Sequence, residues 1–350
     1  MPISSNSRQN VPVAAIHFST GLKNYAAVKI IPVFLPFLGC PGKCVYCAQD
    51  RQTGAGLVPG ISSVLQTAKA ALERQSAACE LAFYGGTFTA MPQADIKACL
   101  DFLQLMRAGG KVSCARCSTR PDALAGPALA DLRRYGLELV ELGVQSFSDD
   151  ALRLSRRGYS GKEALEGCRA VRSAGFRLGI QLLPGMPGCT PEVFLQDVEK
   201  ALQEKPSCMR FYPCLVPDGT VLAQWYREDA YKPWSLEETV SALGRALMLA
   251  WQAGVPVIRL SVAPEPAFDS EILAGPRHPA LGALAQAEAL LLSAEKAVAR
   301  LGRTPAALEL PKCCQGFIFG DKGALRKRWQ ALGLPPQSIT FTDREDALLC

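Results

Sequence analysis

The sequence predicts an α/β fold built on parallel strands, and two observations carry that reading. Short β-branched or aromatic runs alternate with longer helical patterns between residues 28 and 213. The connections between runs are far too long for hairpins, so right-handed strand–helix–strand units are the economical way to close a sheet. The strand runs are Val28–Leu35, Leu81–Tyr84, Val112–Cys117, Leu137–Val144, Phe176–Leu183 and Cys208–Pro213. Between them lie the helical patterns Ser62–Ser76, Gln93–Arg107, Ala125–Tyr135, Gly161–Ser173 and Pro191–Glu204. Five strand–helix steps leading to a sixth strand suit a partial or full (β/α) barrel, or an open doubly wound sheet. The pattern changes after Pro213, where Val216–Trp234 is rich in Pro, Asp, Gly and aromatic residues. Ser235 followed by Glu237 and Glu238 is a helix N-cap signal, for a helix running to about Ala253. Val257–Val262 reads as a further strand, Ala280–Leu301 as a helix, and a tail follows from Pro311.

Composition narrows the class. Of 350 residues, 49% are hydrophobic and 20% charged, which is enough apolar material for a core and too much for a disordered chain. No apolar run approaches the roughly 18–20 residues of a membrane span. The most apolar stretch, Ile30–Leu38, contains Pro32 and Pro36. The first ten residues are polar, and Pro12 and His17 break the next apolar patch, so no export signal is expected and a cytoplasmic location is. Fourteen cysteines in such a chain point to metal binding or catalysis rather than disulfides. With only His17 and His278 as histidines, any metal site must lean on thiolates. The net charge is +6, and residues 1–60 hold five Lys/Arg against one acid, a basic entry suited to an anionic partner or to a solvated surface.

The strongest motif is Cys40-Pro-Gly-Lys-Cys44-Val-Tyr-Cys47, directly after the first predicted strand. Iron–sulfur clusters are held by cysteine thiolates, usually four. Three thiols with no nearby histidine suggest a cluster with one iron left open, as catalytic metal sites keep an open position. A zinc site would need a fourth ligand, and none follows at zinc-ribbon spacing. A second motif, Leu81-Ala-Phe-Tyr-Gly85-Gly86-Thr87, is a strand ending in two glycines, where backbone can approach a ligand closely.

Together these resemble the radical S-adenosylmethionine (SAM) enzymes, whose signature is Cys-x3-Cys-x-aromatic-Cys with Tyr46 as the aromatic residue. Within that superfamily the chain is most similar to the radical SAM part of the Elongator catalytic subunit, and more distantly to oxygen-independent coproporphyrinogen oxidase. The residues carrying this are Ser118-Thr-Arg120-Pro-Asp122, Val140-Glu141-Leu-Gly143-Val-Gln145-Ser146, Arg156-Arg157-Gly158-Tyr159 and Gln181-Leu-Leu-Pro184-Gly185-Met-Pro187. Met209–Pro213, Gly219-Thr220, Trp225-Tyr226 and Tyr231-Lys232-Pro233 belong to the Elongator-like stretch. The resemblance spans roughly residues 25–280.

The resemblance implies a partial (β/α)6-type TIM barrel with a C-terminal α/β extension. The corresponding boundaries are an N-terminal segment 1–25, a radical SAM partial barrel 26–214, and an extension 215–350 that completes the barrel side and ends in a helical tail. It further implies a [4Fe–4S] cluster on Cys40, Cys44 and Cys47, with SAM chelating the fourth iron and yielding a 5′-deoxyadenosyl radical. Gly85, Gly86 and Thr87 would hold the methionyl amine, and Gln145 and Arg157 the ribose and carboxylate. Tyr46, Ser118 and Gln181 complete the implied cofactor set. Ser118 and Gln181 stand where relatives carry acids. An electron donor of flavodoxin or ferredoxin type and a tRNA base as substrate are also implied. A tetrapyrrole oxidase is the alternative chemistry, and a non-catalytic iron–sulfur or SAM-binding protein the alternative class. The Elongator subunit continues into an acetyltransferase domain, for which the roughly 70 residues after His278 are too short.

Other residues admit two readings each. Glu141 shares strand parity with Gly143 and Gln145 and so faces the barrel interior. Arg120 is a substrate contact or a partner of Asp122. Cys114 and Cys117 are an odd number apart on a strand and point to opposite faces. Cys313-Cys314 with Cys350 is an auxiliary-cluster candidate or incidental. His278 is a candidate for proton transfer, and Arg326-Lys-Arg-Trp329 has the composition of an RNA-binding patch or of a basic helix face.

Overall fold

A computed structural model describes residues 15–21, 28–48, 60–124, 128–261 and 269–350. In chain order the strands are β1 (Ile16–Phe18), β2 (Ile30–Leu35), β3 (Cys79–Gly85), β4 (Val112–Thr119), β5 (Leu139–Gln145), β6 (Arg177–Leu182), β7 (Cys208–Phe211), β8 (Val216–Pro217), β9 (Val257–Leu260), β10 (Ile272–Ala274), β11 (Leu308–Pro311), β12 (Ile339–Thr342) and β13 (Ala347–Leu349). The α-helices are α1 (Ile61–Glu73), α2 (Gln93–Ala108), α3 (Ala128–Arg134), α4 (Asp149–Leu154), α5 (Gly161–Ser173), α6 (Pro191–Gln203), α7 (Val221–Arg227), α8 (Leu236–Gln252), α9 (Leu281–Leu301) and α10 (Arg326–Ala331).

Seven strands form one parallel sheet in the order β2-β3-β4-β5-β6-β7-β9. The edges β2 and β9 both contribute to a single cavity, through Ile30, Pro32 and Phe34 on one side and Arg259 on the other. Opposite edges can share a cavity only if the sheet curls, so this is an open half-barrel. The seventh strand, β9, comes from the segment after residue 214, past the loop that carries α7 and α8.

Side-chain alternation explains what each strand face does. Ile31, Val33 and Leu35 of β2 are buried in the core, while Ile30, Pro32 and Phe34 line the cavity. The same parity buries Val140, Leu142 and Val144 of β5 and turns Glu141, Gly143 and Gln145 to the cavity. Around the outer face the helices are stopped and started by local chemistry. Ser160 and Ser235 form capping boxes with Glu163 and Glu238, so the Ser235 signal is met. Thr190 caps α6, with Pro191 in its first turn.

The tail read as helical departs from that reading. Residues 308–349 contain three strands, which join β1 in a second sheet of order β1-β13-β11-β12. These strands are only three or four residues long and span no amphipathic period, so no local pattern announces them. No helix among the described residues is long and apolar enough to cross a membrane.

Candidate active site

The site lies at the carboxyl ends of the strands, where an open α/β sheet or barrel offers its loops. A cavity of about 590 Å³ opens there, within the range that encloses a single drug-sized ligand. Cys40, Cys44 and Cys47 line it from the loop after β2. Positive φ at Phe37 (58°) and Gly39 (75°) turns the chain out of the strand and into that loop. Cys40 Sγ lies 3.2 Å from Thr87 Oγ1, and Cys47 N donates to Cys44 O at 3.0 Å. Among the described residues no three His, Cys, Asp or Glu side chains close around one point as a mononuclear site requires. A polynuclear cluster gives each thiolate its own iron, which suits three thiols spread along one loop.

The end of β3 meets this loop backbone to backbone. Thr87 N donates to Leu38 O at 2.7 Å. Gly85 has φ 110°, and a Cβ on Gly86 would lie 2.0 Å from Leu38 O. Only glycine fits there, and the two residues form a side-chain-free shelf beside the thiols.

Arg157 ties β5 to the cysteine loop. Its Nη1 donates to Cys44 Sγ at 3.1 Å, Nη2 to Gly143 O at 2.6 Å, and Nε to Tyr159 Oη at 2.9 Å. Three of its five donors are thereby used. It is 6% exposed and so is no part of a solvated surface. Burial opposes its charge, but the neighbouring Tyr159, Tyr46 and Cys44 hold its pKa above the ordinary guanidinium value. Tyr46 Oη is buried with no hydrogen-bond partner among the described residues, and burial raises its pKa. Gln145, in the left-handed region at φ 67°, accepts from Gln181 Nε2 at 3.2 Å, and both line the cavity with Ser118. Every residue that the sequence assigned to the cofactors therefore borders one cavity.

Beneath them lies a network that the sequence reading missed. Glu141 accepts from Tyr84 Oη (2.9 Å), Arg116 Nη1 (2.9 Å) and Arg210 Nε (2.5 Å). Arg116 also grips Glu80 through two bonds of 2.5 and 2.6 Å. Two cations and two anions thus neutralise one another inside the barrel. The two arginines hold the Glu141 carboxyl below its usual range, although burial alone would raise it. Gly179 makes room for Glu141, because a Cβ there would lie 2.8 Å from its Cγ.

The other candidates have structural tasks. Arg120 borders the cavity but is bonded to Asp122 (2.7 and 2.9 Å) and to the Arg157 carbonyl, so it is a partner of Asp122. His278 Nδ1 accepts from Ala280 N (3.1 Å) at the start of α9, a capping contact away from the cavity lining. Trp329 is fully buried and donates to Ile318 O, and Arg328 pairs with Glu288 and Glu295. Trp329 is therefore packed into the fold, while Arg326, Lys327 and Arg328 stay exposed as a basic helix face without an aromatic surface. Cys99 and Cys168 are buried in the core, and burial pushes both thiols up to about 12.

The chain belongs to the radical SAM superfamily. That family's model matches residues 34–201, and the radical SAM C-terminal domain model matches residues 206–310. It is accordingly a radical SAM enzyme, a class whose cofactors are a [4Fe–4S] cluster and S-adenosylmethionine. Among particular relatives, a tRNA uridine(34) acetyltransferase of Methanocaldococcus infernus is 27% identical over 275 residues, covering 66% of this chain and 51% of that protein. Elongator complex protein 3 of Mus musculus is 29% identical over 137 residues, 37% of this chain and 24% of that one. The solved structure of the M. infernus archaeal Elp3 with an N-terminal deletion superposes with a TM-score of 0.59 at 23% identity, over 74% of this chain and 62% of that one. The last comparison supports the half-barrel fold. The chain spans about half the length of the archaeal relative.

The residues present fit the family's cofactors on three counts. The donor set is three thiols without histidine, the Gly85-Gly86 shelf has no side chain to block a ligand, and the Tyr46 hydroxyl is buried without a partner among the described residues.

Proposed function

We propose that this enzyme carries its cluster on Cys40, Cys44 and Cys47, binds SAM across the cavity, and acts on a base of tRNA. The observation that carries the reading is convergence: the cysteine loop, the glycine shelf, Gln145, Gln181 and Arg157 border one cavity, although they come from four strands and the loops after them. Bound together, the cluster and SAM supply a 5′-deoxyadenosyl radical by one-electron cleavage.

Each residue then has a physical task. Arg157 orients the Cys44 sulfur by donating to it from Nη1 at 3.1 Å. Its two unused donors, one on each terminal nitrogen, suit the carboxylate of the methionyl group. Gly85 and Gly86 bring backbone groups to the methionyl amine, and Thr87 is held in place by its backbone bond to Leu38. Gln145 and Gln181, bonded to each other, offer amide donors and acceptors to a ribose diol. Ser118 adds a hydroxyl. The Glu80–Arg116–Glu141–Arg210 network fixes the floor and keeps β3, β4, β5 and β7 in register. An electron must arrive from outside, from a donor of flavodoxin or ferredoxin type.

The tRNA part rests on the names of the relatives, of which the chain spans only about half. Its test is coupling. Anaerobic enzyme with SAM and dithionite should form 5′-deoxyadenosine faster when unmodified tRNA is added, and a nucleoside digest should show a new modified base. SAM cleavage that tRNA neither stimulates nor couples to a modified base would exclude tRNA as the substrate.

A further inference from the structure

The wall across the cavity from the cysteine loop carries two arginines in different circumstances. β7 and β9 pair in parallel with Arg210 directly opposite Arg259, and both residues line the cavity. Arg210 is fully committed, to Glu141, to Tyr84 and through Nη1 to Tyr212 Oη at 3.1 Å. Its charge closes the balance of two cations and two anions on the barrel floor. Arg259 lies outside that balance. Its Nε donates to Ser261 O at 3.2 Å, and no carboxylate pairs with it among the described residues. Ser261 itself has φ 109°, in the positive region that non-glycine residues rarely adopt. The bond to its carbonyl uses Arg259 Nε and leaves both terminal nitrogens with donors to offer. Tyr212 accepts from Arg210, so its own hydroxyl proton is still available to donate.

We propose that Arg259, with Tyr212, is a phosphate subsite that takes a backbone phosphate of the RNA nucleotide whose base enters the cavity. A planar guanidinium presenting two donors matches phosphate oxygens in bidentate fashion, and the Tyr212 hydroxyl, which lines the same cavity, offers a third bond. The subsite determines which substrate is held and lies away from the thiols. The RNA part of this inference rests on the tRNA reading above, and a small phosphate ester is the other source of the same chemistry.

The test uses the full chain, reconstituted anaerobically. Binding of a labelled anticodon stem-loop RNA is measured by anisotropy across a salt series, and binding of uridine 5′-monophosphate by equilibrium dialysis. Arg259→Gln should weaken RNA binding about tenfold and lower the slope of log affinity against log salt by about 0.7–0.9, the value for one phosphate contact. Arg259→Lys should recover part of the loss, since charge returns without the fork. Arg303→Gln removes the same charge from an exposed loop and should stay within about twofold of wild type. Tyr212→Phe, which loses a hydroxyl only, should weaken binding about threefold and serves if the Arg259 variants fail to fold. RNA affinity and salt slope unchanged from the Arg303 control would overturn the subsite while leaving the tRNA reading intact. If the wild type binds the mononucleotide but not RNA, and Arg259→Gln loses that binding, the phosphate subsite stands and the RNA assignment falls. Binding of neither by the wild type overturns both.

Discussion

Replacing Gly86 by alanine tests the shelf beside the cysteine loop more sharply than any change to a side chain there. An alanine Cβ would sit 2.0 Å from Leu38 O, 2.7 Å from Leu38 N and 2.8 Å from Leu35 O, where ordinary contact begins at 3.4 Å. All three atoms are backbone, so no rotamer change relieves the clash and Leu38 must retreat by over 1 Å. Leu38 O is also the acceptor for Thr87 N at 2.7 Å. Overpacking of this kind costs about 1–3 kcal/mol, and losing the hydrogen bond about 0.5–1.5 kcal/mol more. The variant should therefore be about 2–4 kcal/mol less stable in urea unfolding. Because the displaced atoms belong to the loop that carries the thiols, SAM affinity should fall at least about tenfold as well, equivalent to about 1.4 kcal/mol. Gly42→Ala is the matched control. It lies in the same loop, its Cβ would meet nothing within 4 Å, and its stability should stay within about 0.5 kcal/mol of wild type. Gly86→Ala behaving like Gly42→Ala in both assays would refute the argument that backbone contact builds the shelf.

Further outcomes follow from the same geometry. Glu141→Gln keeps the shape but removes the charge facing Arg116 and Arg210, and should cost about 3–5 kcal/mol in urea; a loss under about 1 kcal/mol would mean the network carries no net burden. Burial pushes the Asp197 carboxyl up to about 6 against the opposing pull of Ser146 and the Phe147 amide. The folded chain then holds a proton that the unfolded chain has released, so this residue's contribution makes stability fall as pH rises from about 4 to about 6, by about 2–3 kcal/mol. Asp197→Asn should remove that slope, and an unchanged urea profile over that window would contradict it. The depressed Glu141 acts in the opposite sense, its contribution being lost only as pH falls below the usual carboxylate range, so the two windows separate. Trp329→Ala should cost about 3–5 kcal/mol by emptying a fully buried site, measured by the same unfolding assay.

What the sequence made legible was local. The cysteine spacing and the paired glycines are contiguous, so their chemistry reads directly, and the strand and helix limits from residue 28 to 213 follow the apolar period. Gln145 and Gln181 stood at strand ends and could be placed by position. The network of Glu80, Tyr84, Arg116 and Arg210 was missed because its members pair across strands far apart in sequence. A signal for it existed: each polar residue stands at the cavity-facing parity of an otherwise apolar strand, the argument applied to Glu141 alone. Composition alone could not decide between the two readings of Arg326–Trp329, and only the fold shows Trp329 sealed under Ile318 with the basic residues left exposed. The second sheet was illegible, since Ile16 pairs with Leu349 across nearly the whole chain and each strand is too short to announce itself.

The central claim is that Cys40, Cys44 and Cys47 hold the cluster, and iron and sulfide counts test it most directly. They would be measured after anaerobic reconstitution of wild type and of a Cys40→Ala, Cys44→Ala, Cys47→Ala triple variant, followed by SAM and dithionite with 5′-deoxyadenosine as the readout. The account predicts about four irons and nucleoside formation in wild type, and neither in the variant. A variant that keeps about four irons would put the cluster on other cysteines, and the assignment of this cavity as the active site would be wrong.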